Sequence, residues 1–206
     1  MRRQDKELTD QAAIARILDE AEWGVLGLVG PAGGPLMVPL NFVRVDDRLY
    51  FHSAKSGEKM EALEARGEAS FLVVDALAQI PSTVFDPVRA CSATQYFRSV
   101  LAYGQVAPLA DIGRKAEVLQ ALMEKLQPQG GFTPVTAADP LYKASVAGVA
   151  ILEFRVARWS AKFEVGQRLT PEKRSLVRSF LERRGGPADR RTLEAMAPDP
   201  GSPSPS

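Results

Sequence analysis

The residues best suited to anion chemistry lie in one short stretch, residues 49–59 (Leu-Tyr-Phe-His-Ser-Ala-Lys-Ser-Gly-Glu-Lys). A strand is expected to end near His52, the only histidine, and a helix to start a few residues later. Ser53, Lys55 and Lys59 then surround a helix N-terminus, where free N–H groups and the helix dipole favour negative charge. This combination of groups predicts a site for a phosphate dianion.

The same residues have ordinary interpretations that the sequence leaves open. Lysines in a first helical turn are common on solvated faces, and Ser56 is an ordinary N-cap residue. A single histidine at a strand end, such as His52, commonly makes a structural hydrogen bond.

Composition excludes several classes of protein. The chain has 206 residues, with 26 Lys and Arg against 25 Asp and Glu, and its net charge of +1 is too small to attract it to nucleic acid or anionic lipid. One cysteine, Cys91, cannot form an internal disulfide, and with one histidine it cannot build a Cys/His zinc site. We therefore expect no metal, nucleic-acid or membrane partner.

Localisation can be predicted from the N-terminal residues and from the length of the apolar segments. The first residues carry charge without the apolar run of a signal peptide, and the longest apolar stretch, near residues 25–29, is too short to span a bilayer. These patterns predict a cytoplasmic protein.

Hydrophobic periodicity and turn residues predict the elements that position these groups. In the first half they predict a helix ending near residue 22, strands over 23–29, 36–45, 48–53 and 70–74, and a helix over 57–66. In the second half they predict an irregular segment over 76–92, a strand over 94–106, a helix over 112–126, a connection over 127–146, a strand over 149–156 and a helix over 171–184. About six strands in this order indicate an antiparallel barrel decorated by helices.

Four segments resemble a known family. These are Val-Pro-Leu-Asn-Phe (38–42), His-Ser-Ala-x-x-Gly-x-Lys (52–59), Phe-Arg-Ser-Val-Leu-Ala-Tyr-Gly (97–104) and Trp159. Together they resemble the pyridoxamine-phosphate-oxidase-like flavoproteins, and more narrowly their nitroimidazole-resistance (Nim) branch, over about residues 3–165.

The resemblance implies a mainly β fold, an antiparallel six-stranded split β-barrel of Greek-key type with peripheral helices. It implies an FMN-binding domain over residues 1–165 and a homodimer that holds FMN at the subunit interface. Beyond that domain, the helix start at Thr170-Pro171-Glu172 predicts a C-terminal helix, over 166–186 and packed on or near the barrel. Residues 187–206 are Pro/Ser-rich with little apolar content, which predicts a loose tail, most clearly from about Pro198.

The resemblance further implies the residues that hold the cofactor. Carried over by position, they are Pro39, Leu40 and Asn41 along the flavin ring, His52, Ser53, Lys55 and Lys59 around the ribityl phosphate, Arg98 and Ser99 on the long strand, and Trp159 beside the ring. His52 is also the candidate proton donor in catalysis. The alternatives are strand core for residues 39–42, an ion pair for Arg98 and a core position for Trp159.

Two departures from the family pattern limit what is carried over. Glu58 stands where related oxidases commonly have Arg before the motif Lys, which places an acid beside the expected phosphate. After Trp159 the chain lacks the Arg-x-His element of the vitamin B6 oxidases. Pyridoxine-phosphate oxidation is therefore not expected.

Three functions remain open at this stage. The first is an FMN-dependent oxidoreductase that takes electrons from a small-molecule donor and reduces a small acceptor, such as a nitroaromatic compound of the 5-nitroimidazole type. The second is a flavin carrier or redox-sensing module without turnover. The third is a haem-binding split barrel with His52 as axial ligand. FAD remains an alternative to FMN, although a helix N-terminus suits a terminal phosphate.

Overall fold

A computed structural model describes residues 6–196, which form eight strands and six helices. The strands are β1 (Glu7–Leu8), β2 (Trp23–Val29), β3 (Pro35–Asn41), β4 (Val43–Val45), β5 (Arg48–Ser53), β6 (Glu68–Ile80), β7 (Thr94–Pro108) and β8 (Ala150–Glu164). The helices are α1 (Gln11–Glu20), α2 (Glu58–Ala65), α3 (Ile112–Leu126), α4 (Pro140–Gly148), α5 (Pro171–Arg184) and α6 (Pro187–Met196). None of these helices is long and apolar enough to cross a membrane.

The described residues divide into two compact units. We call residues 9–73 and 100–161 the barrel unit, and residues 6–8, 74–99 and 162–196 the terminal unit. The chain passes between the units within β6, β7 and β8. The domain boundaries at residues 165 and 186, and the packing of the C-terminal helix on the barrel, stay predictions.

The sheet of the barrel unit closes on itself because of one residue. Its strand order is β3-β2-β6-β7-β8-β5-β4, and β2–β3, β2–β6, β4–β5 and β5–β8 are antiparallel. β3 and β4 stand at opposite ends of this order, yet only Phe42 separates them along the chain. The two ends of the sheet must therefore meet. With β3 and β4 counted as one bent strand, the path has six strands, and the predicted antiparallel split barrel with peripheral helices is confirmed.

Four phenylalanines fill the centre of the barrel unit. Phe42, Phe51, Phe71 and Phe154 are each at most 1% exposed. The ring of Phe71 lies 5.0 Å from that of Phe42 and 4.9 Å from that of Phe51, centroid to centroid. Such tilted and edge-on pairs stabilise the core beyond the burial of their area.

Lys125 of α3 lies over this aromatic core. Its Nζ is 3.9 Å from the centroid of the Phe42 ring and donates a hydrogen bond of 3.0 Å to the carbonyl oxygen of Leu18, near the end of α1. Burial lowers the pKa of Lys125 to about 8. The protonated amine is therefore held in a position that water solvates poorly.

Replacing Lys125 by Met is expected to remove a pH dependence of stability. The folded pKa is about 8, and a lysine in an unfolded chain has a pKa of about 10.4. Between these values the unfolded chain binds more protons, so the free energy of unfolding of the natural chain should rise with pH. Relative to the variant, the rise from pH 7.5 to 10.5 should be about 1 to 3 kcal/mol. Urea unfolding at a series of pH values measures it.

The matched control for this prediction is Lys143→Met, at an exposed lysine of α4. The difference in the free energy of unfolding between this variant and the natural chain should stay constant over the same pH range. If the difference in the free energy of unfolding between Lys125→Met and the natural chain is also constant with pH, the proposal that burial lowers the pKa of Lys125 is contradicted.

The terminal unit is stabilised by an apolar cluster, by hydrogen bonds of Thr192 and by an ion pair of Arg184. Its core includes Leu77, Ile80, Tyr96, Val177 and Leu181. The hydroxyl of Thr192 accepts a hydrogen bond of 2.8 Å from the amide of Ala78 and donates one of 2.7 Å to the carbonyl of Ala188. Arg184 forms an ion pair with the buried Asp189. These contacts join α5 and α6 to β6.

The structure corrects several element boundaries. The predicted strand 36–45 is interrupted at Phe42, and β6 and β8 run on to Ile80 and Glu164. The predicted connection 127–146 contains the start of α4, whose first turn is capped by Asp139 through the amide of Leu141.

The segment expected to be a loose tail is helical in its first part. Residues 187–196 form α6, since Met196 joins the apolar cluster of the terminal unit and Thr192 is hydrogen-bonded within it. The looser part expected from Pro198 lies outside the described residues.

Candidate functional site

The motif over residues 52–59 connects β5 to α2. β5 ends at Ser53 as predicted, and α2 begins at Glu58. The N-cap is Gly57 rather than Ser56, with φ 105° and ψ 171°, a conformation that residues with a Cβ rarely adopt. No side chain among the described residues caps α2. The first N–H groups of the helix are thus available to a ligand.

Lys59 lies in this first turn and is partly buried. Within residues 6–196 its ammonium group has neither a hydrogen-bond nor an ion-pair partner. Burial lowers the pKa of Lys59. A partly desolvated ammonium without a counter-charge is unfavourable by itself, and an anion beside it would remove that cost. Of the residues in the motif, Lys59 fits a phosphate best.

Ser53 and Lys55 already have partners. Ser53 is 7% exposed, and its hydroxyl donates to the carbonyl oxygen of Ala54 at 2.9 Å. Lys55 is exposed, and its Nζ donates to the carbonyl oxygen of Ala147 in α4 at 2.7 Å. Lysine has three donors, so two remain on Lys55. In this structure the hydrogen bond of Lys55 connects the end of β5 to the last turn of α4.

Glu58, the acidic departure from the family pattern, lies against the β2–β3 turn. A Cβ built on Gly30 of that turn would be 3.7 Å from the Glu58 Oε1. The carboxylate thus has a position beside the turn, in the same first helical turn that carries Lys59.

An exposed apolar surface covers the outside of β2, β3 and β6. In their register Val25 is opposite both Pro39 and Leu72, so these three side chains share one face. Met37 and Trp23 alternate onto the same face and are 61% and 58% exposed. We call these five residues the outer face. An apolar patch of this kind on a soluble domain marks an interaction or ligand surface.

Asn41 continues this surface at the end of β3. It is opposite Trp23, and its Nδ2 donates to the carbonyl oxygen of Glu22 at 2.9 Å. Since Asn41 is two residues after Pro39 on β3, both side chains are on the same side of the sheet. His52 lies on β5, and its side chain is exposed.

Leu40 points the other way. It alternates with Pro39 and Asn41 along β3, so its side chain is on the side of the sheet that Phe42 occupies. Only its backbone could contact a ligand on the outer face.

The remaining predicted residues lie on β7 and β8. Arg98, in the terminal unit, donates through Nε and Nη2 to one oxygen of Asp75 at 2.9 and 2.6 Å, which is the ion-pair alternative. Ser99 is partly buried in the same unit, and Trp159 is partly buried on β8. Their cofactor roles stay predictions.

The sequence reasoning missed Trp23 and Met37. The available signal was that residues 35–41 (Pro-Leu-Met-Val-Pro-Leu-Asn) are apolar at both odd and even positions. A strand of this kind has two faces that favour burial, and here only one of them faces the barrel core.

Comparison with known proteins identifies the family. The sequence model of the pyridoxamine 5'-phosphate oxidase family matches residues 10–163. The chain belongs to this family. No relative was found among the curated proteins compared by sequence.

Solved structures of family-like proteins support the fold. A candidate 5-nitroimidazole antibiotic resistance protein from Bacteroides thetaiotaomicron is 22% identical, covering 76% of this chain and 86% of its own, with a TM-score of 0.61. The flavocytochrome Anf3 from Azotobacter vinelandii is 24% identical, covering 80% and 72%, with a TM-score of 0.65. The FAD and haem binding protein from Mycobacterium smegmatis is 20% identical, covering 77% and 73%, with a TM-score of 0.63. At these identities the likeness concerns the fold alone.

Proposed function

We propose that this family member is a flavoprotein that binds FMN, with the phosphate at the start of α2 and the ring on the outer face. The observation that carries the proposal is the partly buried ammonium of Lys59, which has no partner in the part of the chain that the structure describes, beside an uncapped helix N-terminus. Two of the structural neighbours are described as a flavocytochrome and as an FAD and haem binding protein. A terminal phosphate favours FMN over FAD at this position.

The proposed activity is electron transfer from a small-molecule donor to a small acceptor, such as a nitroaromatic compound. Bound flavin supplies the reversible electron-transfer chemistry. The chain's own residues bind and orient the cofactor: Lys59 balances the phosphate charge, and the outer face excludes water from the side of the aromatic ring that packs on it. His52, which is exposed on β5, is the proposed donor of a proton to a reduced product.

The proposed assembly is a homodimer with the cofactor at its interface. The outer face includes Trp23 and Met37 at 58% and 61% exposure, and a second copy of the same face would bury both.

Replacing Met37 by Glu is expected to separate the dimer, because two carboxylates would face an apolar interface. Sedimentation should change from dimer to monomer at micromolar concentration, with unchanged circular dichroism. The control is Leu141→Glu, at another apolar residue, 64% exposed on α4. A natural chain that sediments as a monomer would contradict the proposed assembly.

The experiment that tests the cofactor is the absorbance spectrum of protein purified without added flavin, with the released ligand identified by mass. Flavin peaks and released FMN support the proposal, and subsequent re-oxidation of reduced protein by a nitro acceptor supports the activity. A colourless protein that also fails to bind added FMN contradicts it. Flavin that stays reduced with all nitro acceptors favours a carrier without turnover.

Haem is a second candidate ligand, because the chain's one imidazole is exposed at His52 and could be an axial ligand. Added haemin should then give a Soret shift that His52→Ala abolishes. A spectrum equal to that of free haemin would exclude this function.

A further inference from the structure

A cleft of about 420 Å³ lies within the terminal unit, apart from the residues assigned to flavin. It is formed by residues 79–81 at the end of β6, residues 93–95 at the start of β7, and Arg184 of α5. We call it the terminal cleft. Its volume is in the range of small-molecule sites, which is roughly 300–1,000 Å³.

The charged group of the terminal cleft is the guanidinium of Arg184, which is held in place by hydrogen bonds and has a carboxylate as its counter-charge. The Nε and Nη2 of Arg184 donate to the carboxylate of Asp189, its Nη1 donates to the carbonyl oxygen of Gln79 at 3.1 Å, and its Cζ is 4.8 Å from the Phe180 ring centroid. The hydrogen bond from Arg184 holds the pKa of Asp189 below its usual value. The pair is therefore ionised and neutral overall, and the cleft has no net charge to attract an anion.

Arg184 nevertheless keeps donors for a ligand. A guanidinium has five N–H groups, and the contacts above engage one on each nitrogen. One N–H on Nη1 and one on Nη2 remain. Because the guanidinium is already held in place by Asp189 and Gln79, little side-chain entropy is lost when a ligand accepts from it.

The amide and hydroxyl groups of the terminal cleft supply the complementary acceptors. The Nε2 of Gln95 donates both its hydrogens, to the carbonyl oxygens of Leu77 at 2.7 Å and Tyr96 at 2.8 Å. Its Oε1 is thus left as an acceptor. Within residues 6–196, no hydrogen bond engages the side chain of Gln79 or Thr94, so both can donate and accept.

The rest of the lining is apolar. Pro81 is partly buried and Ala93 is exposed, and these two form the accessible apolar wall beside the buried Ile80. An apolar wall with a few fixed donors and acceptors favours a ring that carries one donor and one acceptor side by side. A carboxamide has this pair, whereas a carboxylate would place a second acceptor against Gln95 Oε1.

We propose that the terminal cleft binds a small, neutral aromatic carboxamide. The ring packs on Pro81 and Ala93. The carboxamide N–H donates to Gln95 Oε1, and its carbonyl oxygen accepts from Arg184. The site does not depend on flavin and is independent of the proposed function.

The test is a titration of the full chain with benzamide and with benzoate, followed by ligand-observed NMR. Benzamide should bind, and benzoate, which has the same shape and a negative charge, should bind at least about tenfold more weakly. Gln95→Met, which removes the acceptor of the carboxamide N–H, should weaken benzamide by about fivefold, the effect of one neutral hydrogen bond. Ala93→Trp, at an exposed position, should fill the cleft and abolish binding.

The control is Gln129→Leu, at an exposed glutamine of the barrel unit, which should leave benzamide binding unchanged. Benzamide binding that survives Ala93→Trp would place the ligand elsewhere and overturn the proposal. Benzoate binding as tightly as benzamide would overturn the argument from charge, and no benzamide binding at about 10 mM would overturn the site itself.

Discussion

Replacing Lys59 by Met is expected to weaken FMN binding by about 10- to 100-fold and to leave riboflavin binding unchanged. FMN and riboflavin differ only in the phosphate, so the comparison isolates the group that Lys59 would contact. A hydrogen bond to a charged partner contributes roughly 1.5–3 kcal/mol. Methionine keeps the packing of the partly buried stem. Flavin fluorescence quenching measures both affinities.

Two controls accompany this comparison. Lys143→Met removes an exposed lysine from α4, and it should change neither affinity. Lys55→Met should have a smaller effect than Lys59→Met, since the Lys55 ammonium already bonds the carbonyl of Ala147. If Lys59→Met lowers the affinities for FMN and riboflavin equally, Lys59 stabilises the fold of the site and does not contact the phosphate.

Replacing Gly104 by Ala is expected to lower the free energy of unfolding by about 3 kcal/mol or more, because the added methyl has no room. Gly104 lies on β7, and a Cβ built there would overlap the carbonyl oxygen of Arg155 and lie 3.1 Å from the amide nitrogen of Ala157, both in β8. Neighbouring backbone cannot give way as a flexible side chain can. Chemical unfolding of the variant measures the loss.

Gly148→Ala is the matched control. At Gly148, in the last turn of α4, a Cβ would meet nothing within 4 Å. Alanine there should be neutral or should stabilise by about 0.5 kcal/mol. If Gly104→Ala unfolds at the same denaturant concentration as Gly148→Ala, the close approach of β7 and β8 is not a constraint on the fold.

The sequence predicts elements well where local signals agree with tertiary packing. Helix α3 has the predicted bounds, 112–126, because one apolar stripe and the cap residue Asp111 mark it. Helix α5 has the predicted start because Thr170 caps it and Pro171 occupies its first position. The same signature, Asp139 followed by Pro140, begins α4, but the sequence after it has no apolar stripe.

Elements that depend on distant partners are harder to predict. β6 continues through Asp75, an acid unfavourable in a strand interior, since Arg98 and Arg191 both pair with its carboxylate. Arg191 is 116 residues away along the chain. No local pattern contains that contact.

In the candidate site, too, the sequence predicts the local features and does not predict the contacts between distant segments. The position of Lys59 at the start of α2 follows from local sequence, as does the end of β5 at Ser53. The contact of Lys55 with Ala147 depends on α4, which was not predicted. The outer face depends on the register of β2, β3 and β6, which gives Met37 and Pro39 one side of the sheet and Leu40 the other.

The bend at Phe42, which joins the two ends of the sheet, has a consequence for biosynthesis. β5 can join the sheet only by pairing with β8 on one side, and the contact of Arg48 with Glu153 spans 105 residues. A nascent chain must therefore make β8 before the strands of its first half can be enclosed. Pairing over such separations is slow, roughly milliseconds to seconds. During this interval the apolar sides of β2 and β3 are exposed, and this family member should depend on chaperones more than a helical protein of equal length.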